Sequence, residues 1–319
     1  MMERVFDSIA HFGREWKEGV CLALGMFDGV HRGHCAVLDL TRVQAGKFSG
    51  STAALTFPKH PATLLRPGKE PPLLMSAEDK AAQLLASGVS GVIMQPFDEE
   101  LSEIPADQFV SYLLGLVPFL RSVSVGENFR FGKDRTGDFQ ALTEYGSCAG
   151  IGVNVAQSLI LGELPVSSSR IRKALEAGEM HRVAEMLGRK YIVSARVSAG
   201  KAMGRTIGYP TLNLRWCPEA KPAFGVYAGW AEEKTTGQRI PALANYGLRP
   251  TVEEVAEHPL LEVHCLETPD VLIWKEGASL TMELGVHLRP EKKFSGVDEL
   301  TAQIESDCGQ ARKLFSQGL

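Results

Sequence analysis

Gly25-Met26-Phe27-Asp28-Gly29-Val30-His31-Arg32-Gly33-His34 joins an apolar run at 20–27 to a helix-like run at 33–43. A buried strand that passes through a glycine-containing turn into a helix is the opening unit of an α/β domain. The start of such a helix turns unpaired N–H groups and the positive end of its dipole toward an anion. Gly29 and Gly33 let the backbone come close to a phosphate. His31 and His34 are three positions apart, so both can face one site from the first helical turn. Two imidazoles there can donate hydrogen bonds to phosphate oxygens as negative charge builds in a transition state. Asp28 reads either as a residue orienting a histidine or a metal-bound water, or as a turn former. The plainer alternative is a turn with two surface histidines; the position after a first strand favours the phosphate reading. No Walker A loop competes, because the Gly-Lys pairs ending at Lys47, Lys69, Lys133 and Lys201 are not followed by Ser or Thr.

Working outward, strands are expected at 52–57, 91–95, 122–126 and 152–159. Helices are expected at 76–86, with Ser76 as N-cap, and at 106–114, 137–145, 167–177 and 179–187. Strand–helix alternation with short connections implies a doubly wound parallel sheet, with ligands at the carboxyl ends of its strands. The character changes near Gly188. Segments 191–197, 225–232, 239–245, 260–266 and 279–287 are short and rich in β-branched or aromatic residues, and Thr235-Thr236-Gly237 reads as a hairpin turn. This pattern implies a small antiparallel β-barrel. Leu300, Ile304, Ala311 and Leu314 mark one C-terminal covering helix over 297–315. The expected domains are 1–184 and 185–319.

The chain has 319 residues, 44% hydrophobic and 23% charged, which suits a globular protein with cores. A net charge of −4 argues against a general nucleic-acid binder. The six cysteines form no C-x-x-C pair and fit reduced thiols in a cytoplasm. The first 19 residues are charged and broken by Gly13, without the apolar centre of a signal peptide. The longest apolar stretch, 112–120, is short of the roughly 20 residues that span a bilayer. A cytoplasmic protein with no membrane partner is therefore expected. Its oligomeric state is left open.

H-x-G-H in this place resembles the α/β nucleotidyltransferases. With Val125-Gly126-Glu127-Asn128-Phe129-Arg130-Phe131-Gly132 and Ser167-Ser168-Ser169-Arg170-Ile171-Arg172, the first half resembles the prokaryotic bifunctional riboflavin kinase/FAD synthetases. The resemblance implies that Gly25, Phe27, Asp28, Gly29 and Gly33 bind ATP and that His31 and His34 are catalytic. It gives Ser167, Ser168, Ser169, Arg170 and Arg172 the ATP phosphates. Hydroxyls, a helix start and guanidinium groups do make an anion clamp, although such a segment alone is more often a capped surface helix. Asn128 matches a position near flavin and adenine; otherwise it is a turn residue. In Phe57-Pro58-Lys59-His60-Pro61 the family's proline usually stands one place later. His60 is carried over as lining the phosphate or flavin site.

The second half carries an independent match. Gly200-Lys201-Ala202-Met203-Gly204-Arg205-Thr206-Ile207-Gly208-Tyr209-Pro210-Thr211-Leu212-Asn213 resembles the glycine-rich loop and P-T-A-N motif of riboflavin kinases, with Leu212 in place of alanine. Ala244-Asn245-Tyr246-Gly247-Leu248-Arg249-Pro250-Thr251 and Leu288-Arg289-Pro290-Glu291-Lys292-Lys293-Phe294 also match. The family's tyrosine–glycine pair is missing, and Val271-Leu272-Ile273-Trp274 stands there. Gly200, Lys201, Gly204, Gly208 and Pro210 are the expected phosphate contacts, and Arg289 an expected flavin contact. Thr211 and Asn213 are oxygen donors suited to Mg²⁺. On the strand at 260–266, Glu262 and His264 share one face and Leu261, Val263 and Cys265 the other. A lone acidic residue on a strand usually faces solvent; the resemblance makes Glu262 the catalytic base. It implies ATP-dependent phosphorylation of riboflavin to FMN, then adenylylation of FMN to FAD with release of pyrophosphate. For that second step it implies charge neutralisation by His31, His34 and the arginines. The alternatives are a riboflavin kinase with a degenerate first domain, a non-catalytic flavin-binding regulator, and an adenylyltransferase for another phosphate ester.

Overall fold

The computed structural model describes residues 4–198, 207–248, 259–267 and 274–319. Packing divides the chain into two units, Met1–Ser168 and Ser169–Leu319.

The first unit is built on β1 (Val5–Phe6), β2 (Val20–Leu24), β3 (Ser51–Thr56), β4 (Gly91–Met94), β5 (Leu120–Gly126) and β6 (Gly152–Ala156). These pair in parallel in the order β1-β4-β3-β2-β5-β6. The helices are α1 (Ile9–Glu15), α2 (Arg32–Lys47), α3 (Ala62–Leu65), α4 (Ala77–Ala86), α5 (Glu99–Ser102), α6 (Phe109–Leu116) and α7 (Phe139–Cys148). A small hairpin, β7 (Ile160–Leu161) and β8 (Leu164–Pro165), follows. One face of the sheet packs a core containing Phe12, Leu113 and Leu142 from α1, α6 and α7. The other packs Leu38 of α2 and Leu84 of α4. Burial on both faces explains why β2 is apolar throughout rather than alternating. After β4 the chain crosses back to lay β5 on the free side of β2. The switch point therefore lies between β2 and β5, and the loops at Gly25 and Gly126 leave from their carboxyl ends.

The sequence reading misses β1 and α1. Gly13 reads as a break, yet it lies buried inside α1, and a Cβ there would come 1.8 Å from the Leu116 carbonyl oxygen. The glycine permits a close crossing of α1 over the end of α6.

The second unit contains α8 (Ser168–Glu176, whose first residue closes the first unit), α9 (Met180–Leu187), β9 (Tyr191–Ser198), β10 (Leu212–Leu214), β11 (Gly225–Glu233), β12 (Arg239–Leu248), β13 (Pro259–Cys265), β14 (Ser279–Leu284), β15 (Val286–Pro290) and α10 (Val297–Ser316). The ring β12-β13-β10-β9-β14-β11 closes through β11–β12 pairing into an antiparallel barrel, and β15 extends from β11. The strand expected at 279–287 is two strands, because the Gly285 N–H turns aside to the Ala228 carbonyl. At the hairpin expected at 235–237, Gly237 has φ 71° and the Thr236 N–H donates to the Glu233 carboxylate at 2.6 Å. Helix α10 packs Ile304, Cys308, Ala311 and Leu314 against Val226, Ala228 and Leu243 on the outside of the barrel.

Helices α8 and α9 belong to the barrel's packing. Ile171, Leu175, Met180, Val183, Met186 and Leu187 are buried, and Leu175 accepts a hydrogen bond from the Ala223 N–H at 2.9 Å. Losing one large buried apolar side chain costs about 2–5 kcal/mol against a total of about 5–15. A fragment starting at Ser169 is therefore expected to melt well above one starting at Glu185. Equal melting temperatures in calorimetry would show that α8 contributes nothing to the barrel.

Candidate active sites

The first site grows from the strand–helix junction. The chain leaves β2 through Gly25 and passes positive φ at Phe27 (50°), Gly29 (85°) and Val30 (39°). His31 then caps α2. Its Nδ1 accepts the His34 N–H at 3.3 Å, and His34 Nδ1 accepts the His31 N–H at 3.3 Å. The rings stack with centroids 3.5 Å apart, and Phe27 meets His34 edge-on. Because each Nδ1 is an acceptor, the neutral tautomer of each ring carries its proton on Nε2. Burial, helped by the charges of His31 and Lys80, holds the His34 pKa well below the usual histidine range. As a neutral ring His34 offers an Nε2–H donor.

Asp28 is buried; its Oδ1 accepts the Leu74 N–H at 2.8 Å. Ser168 Oγ, at the end of the first unit, donates to the Asp28 carbonyl at 2.9 Å. Ser167 precedes it, and Ser169, Arg170 and Arg172 follow in α8 within the second unit. Gly33 stands against the His31 ring, where a Cβ would come within 3.2 Å. Asn128 is exposed in the turn after β5. His60 Nδ1 accepts the Ala62 N–H at 3.1 Å at the start of α3.

The second site lies on the barrel's outer face beneath α10. A cavity of about 290 Å³ is lined by Thr211, Asn213, Asn245, Glu262, His264 and Arg289, among others. Strand pairing explains the convergence. Glu262 stands in register with Asn213 of β10 on one side and Asn245 of β12 on the other. Leu261 and Val263 point the opposite way and are buried with Leu212, Leu214, Ala244 and Tyr246. His264 shares an Nδ1 hydrogen bond with the Pro210 carbonyl at 2.9 Å and meets Tyr209 edge-on. Burial lowers its pKa. Arg289 grips Asp307 of α10 through Nε (3.0–3.1 Å) and Nη2 (2.8 Å), and Gln303 donates to the same carboxylate at 2.9 Å. Its guanidinium thus fastens α10 over the cavity. Gly208, at φ 83°, and Pro210 lie on the segment leading to Thr211. Gly200, Lys201 and Gly204 fall outside the described residues.

Sequence reasoning gave Asn245 no role beyond its place in a matched motif, and it did not single out Asp307 or Lys80. Asp307 stands in the apolar stripe of Leu300, Ile304 and Ala311, and Lys80 precedes Leu84 on the buried stripe of α4. A charge on an apolar stripe signals a buried partner.

Residues 14–170 match the family model described as FAD synthetase, and residues 187–315 the model described as riboflavin kinase. The bifunctional riboflavin kinase/FMN adenylyltransferase of Escherichia coli (strain K12) is 35% identical, covering 98% of each chain. That of Bacillus subtilis (strain 168) is 32% identical over 96% of each. A solved structure described as a macrolide-efflux protein from Streptococcus pneumoniae shares the fold, with a TM-score of 0.84 at 24% identity over 97% of this chain and 98% of that one. This likeness concerns the fold alone. Among the described residues no helix is long and apolar enough to cross a membrane.

Proposed function

The chain belongs to the bifunctional riboflavin kinase/FMN adenylyltransferase family, and we propose that its barrel phosphorylates riboflavin to FMN with ATP while its α/β unit adenylylates FMN to FAD. The observation that carries the reading is the row Asn213, Glu262, Asn245 opening on one cavity with Thr211. A carboxylate between two carboxamides, on a rigid three-strand platform, is a held proton acceptor rather than a solvated surface charge.

In the kinase step the terminal ribityl hydroxyl of riboflavin attacks the γ-phosphorus of ATP. Glu262 takes the hydroxyl proton, and ADP leaves with the electrons of the broken P–O bond. Thr211 and Asn213 would hold Mg²⁺, since hydroxyl and carboxamide oxygens suit a hard cation. Two neutral groups would leave most of such an ion's oxygen positions to phosphates and water. When bound, the ion neutralises phosphate charge.

In the adenylyl step an FMN phosphate oxygen attacks the α-phosphorus of ATP and pyrophosphate leaves. The second pKa of a phosphate monoester is about 6, so no base is needed at pH 7. His31 and His34 donate from Nε2 to the phosphates, beside the N-terminus of α2. Gly25, Phe27, Asp28, Gly29 and Gly33 form the ATP loop. The resemblance adds Ser167, Ser168, Ser169, Arg170 and Arg172 for the ATP phosphates, with Asn128 and His60 for the flavin side. The functional partition is placed between residues 184 and 185. The wide scatter of the six cysteines, with no C-x-x-C pair, supports a cytoplasmic location.

Riboflavin, ATP and Mg²⁺ with the purified protein are expected to give FMN and then FAD, followed by chromatography. FMN that never becomes FAD selects a kinase with a silent first unit. Absence of FMN under reducing conditions rejects the reading.

A further inference from the structure

Lysine is among the residues least often buried, and Lys80 of α4 is 1% exposed. Its helix is fixed by the Ser76 cap, where Ser76 Oγ accepts the Asp79 N–H at 3.0 Å. From that helix Lys80 Nζ reaches two main-chain carbonyls at the carboxyl ends of neighbouring strands. It donates to Phe57, just beyond β3, at 2.5 Å, and to Met26, just beyond β2, at 3.3 Å. Met26 is the residue before the loop that carries Phe27, Gly29 and Val30 through positive φ into His31. Thr56 Oγ1 also donates to the Met26 carbonyl, at 2.8 Å. The entry to the phosphate-binding turn is thus held by two side chains. The buried Asp28 carboxylate opposes the ammonium charge, and that charge is felt at His34.

Removing one partner of a buried pair is destabilising, because the Asp28 carboxylate would lose the opposing ammonium and the Phe57 carbonyl its donor. Burial pushes the Lys80 ammonium down to about 8, so the protein bears a desolvation cost to keep it. Such a cost is characteristic of functional sites. Resting on the reading of the first unit as an adenylyltransferase, we propose that Lys80 is a positioning residue for the transfer of AMP to FMN. By holding the Met26 and Phe57 carbonyls it fixes the turn that aims the α2 N-terminus, His31 and His34 at the ATP phosphates. It acts through the loop and touches neither substrate.

The test is Lys80→Met in the full chain, assayed with FMN, ATP and Mg²⁺. The expected kcat for FAD formation falls about 10–100-fold, the usual size of a supporting-shell effect. The KM values for FMN and ATP stay within about threefold. The first-unit melting temperature falls, so kcat is referred to the folded fraction, and riboflavin phosphorylation is unaffected. Lys80→Arg, which keeps the cation and its donors, is expected to recover most of the lost kcat. The inference is overturned if folded Lys80→Met makes FAD at the wild-type rate. It is equally overturned if activity falls only in step with the folded fraction, or if folded Lys80→Arg is as slow as Lys80→Met. Failure of the wild-type protein to make FAD would instead reject the adenylyltransferase reading.

Discussion

Glu262→Gln is expected to lower riboflavin phosphorylation about 100-fold or more while FAD formation from supplied FMN stays near wild type. Glutamine keeps the shape and a carbonyl acceptor, so the row with Asn213 and Asn245 can survive. Only the ability to take a proton is lost. The position is rigid because Leu261 and Val263 anchor β13 from the other face, at 0% and 1% exposure. A base that is held rather than recruited contributes through kcat, and the substrate KM values are expected to change little. His264 is the competing acceptor on the same face, with Nδ1 engaged at the Pro210 carbonyl. Steady-state FMN formation at saturating ATP and Mg²⁺ separates the two. Unchanged turnover in Glu262→Gln, with loss in His264→Gln, would move the proton acceptor to the histidine.

The two sites differ in how much of them can be read from the chain. The first is written locally. A strand buried on both faces, followed by three glycines and two histidines in ten consecutive residues, suffices to place a helix start at the end of a central strand. The reciprocal cap of His31 and His34 uses residues three apart, so sequence spacing already implies it. The second site is assembled by pairing between distant strands. Glu262 meets Asn213 across 49 positions of chain, and only the register reveals that Asn245 completes the row. The most misleading residues are those whose ordinary preference is overridden by a distant partner. Gly13 looks like a helix break, but it makes room for the Leu116 carbonyl. Asp307 and Lys80 look like surface charges, but Arg289 and two loop carbonyls take them into the interior. Composition and periodicity describe what a residue prefers alone, and these three answer to contacts made only in the folded chain.

Replacing both His31 and His34 by alanine is expected to nearly abolish FAD synthesis and leave riboflavin phosphorylation intact. Removing one donor from a transition-state anion costs about 10²–10³-fold. The two effects need not add, since the rings stack and cap one another. The pair also contributes to folding, and loss of an N-cap costs about 0.5–2 kcal/mol. Against a total of about 5–15 kcal/mol that leaves nearly every molecule folded. A thousandfold loss of rate therefore cannot come from the cap. His31→Asn separates the two roles directly. Asparagine is among the best N-caps, so its Oδ1 can still accept the His34 N–H, but it has no Nε2–H to donate. That variant is expected to melt like wild type and to make FAD about 10²–10³-fold more slowly. Wild-type turnover in His31→Asn would mean that the imidazole serves only the helix. Loss of both activities in a folded double variant would mean that one site runs both reactions, and the assignment of separate chemistry to the two units would fall.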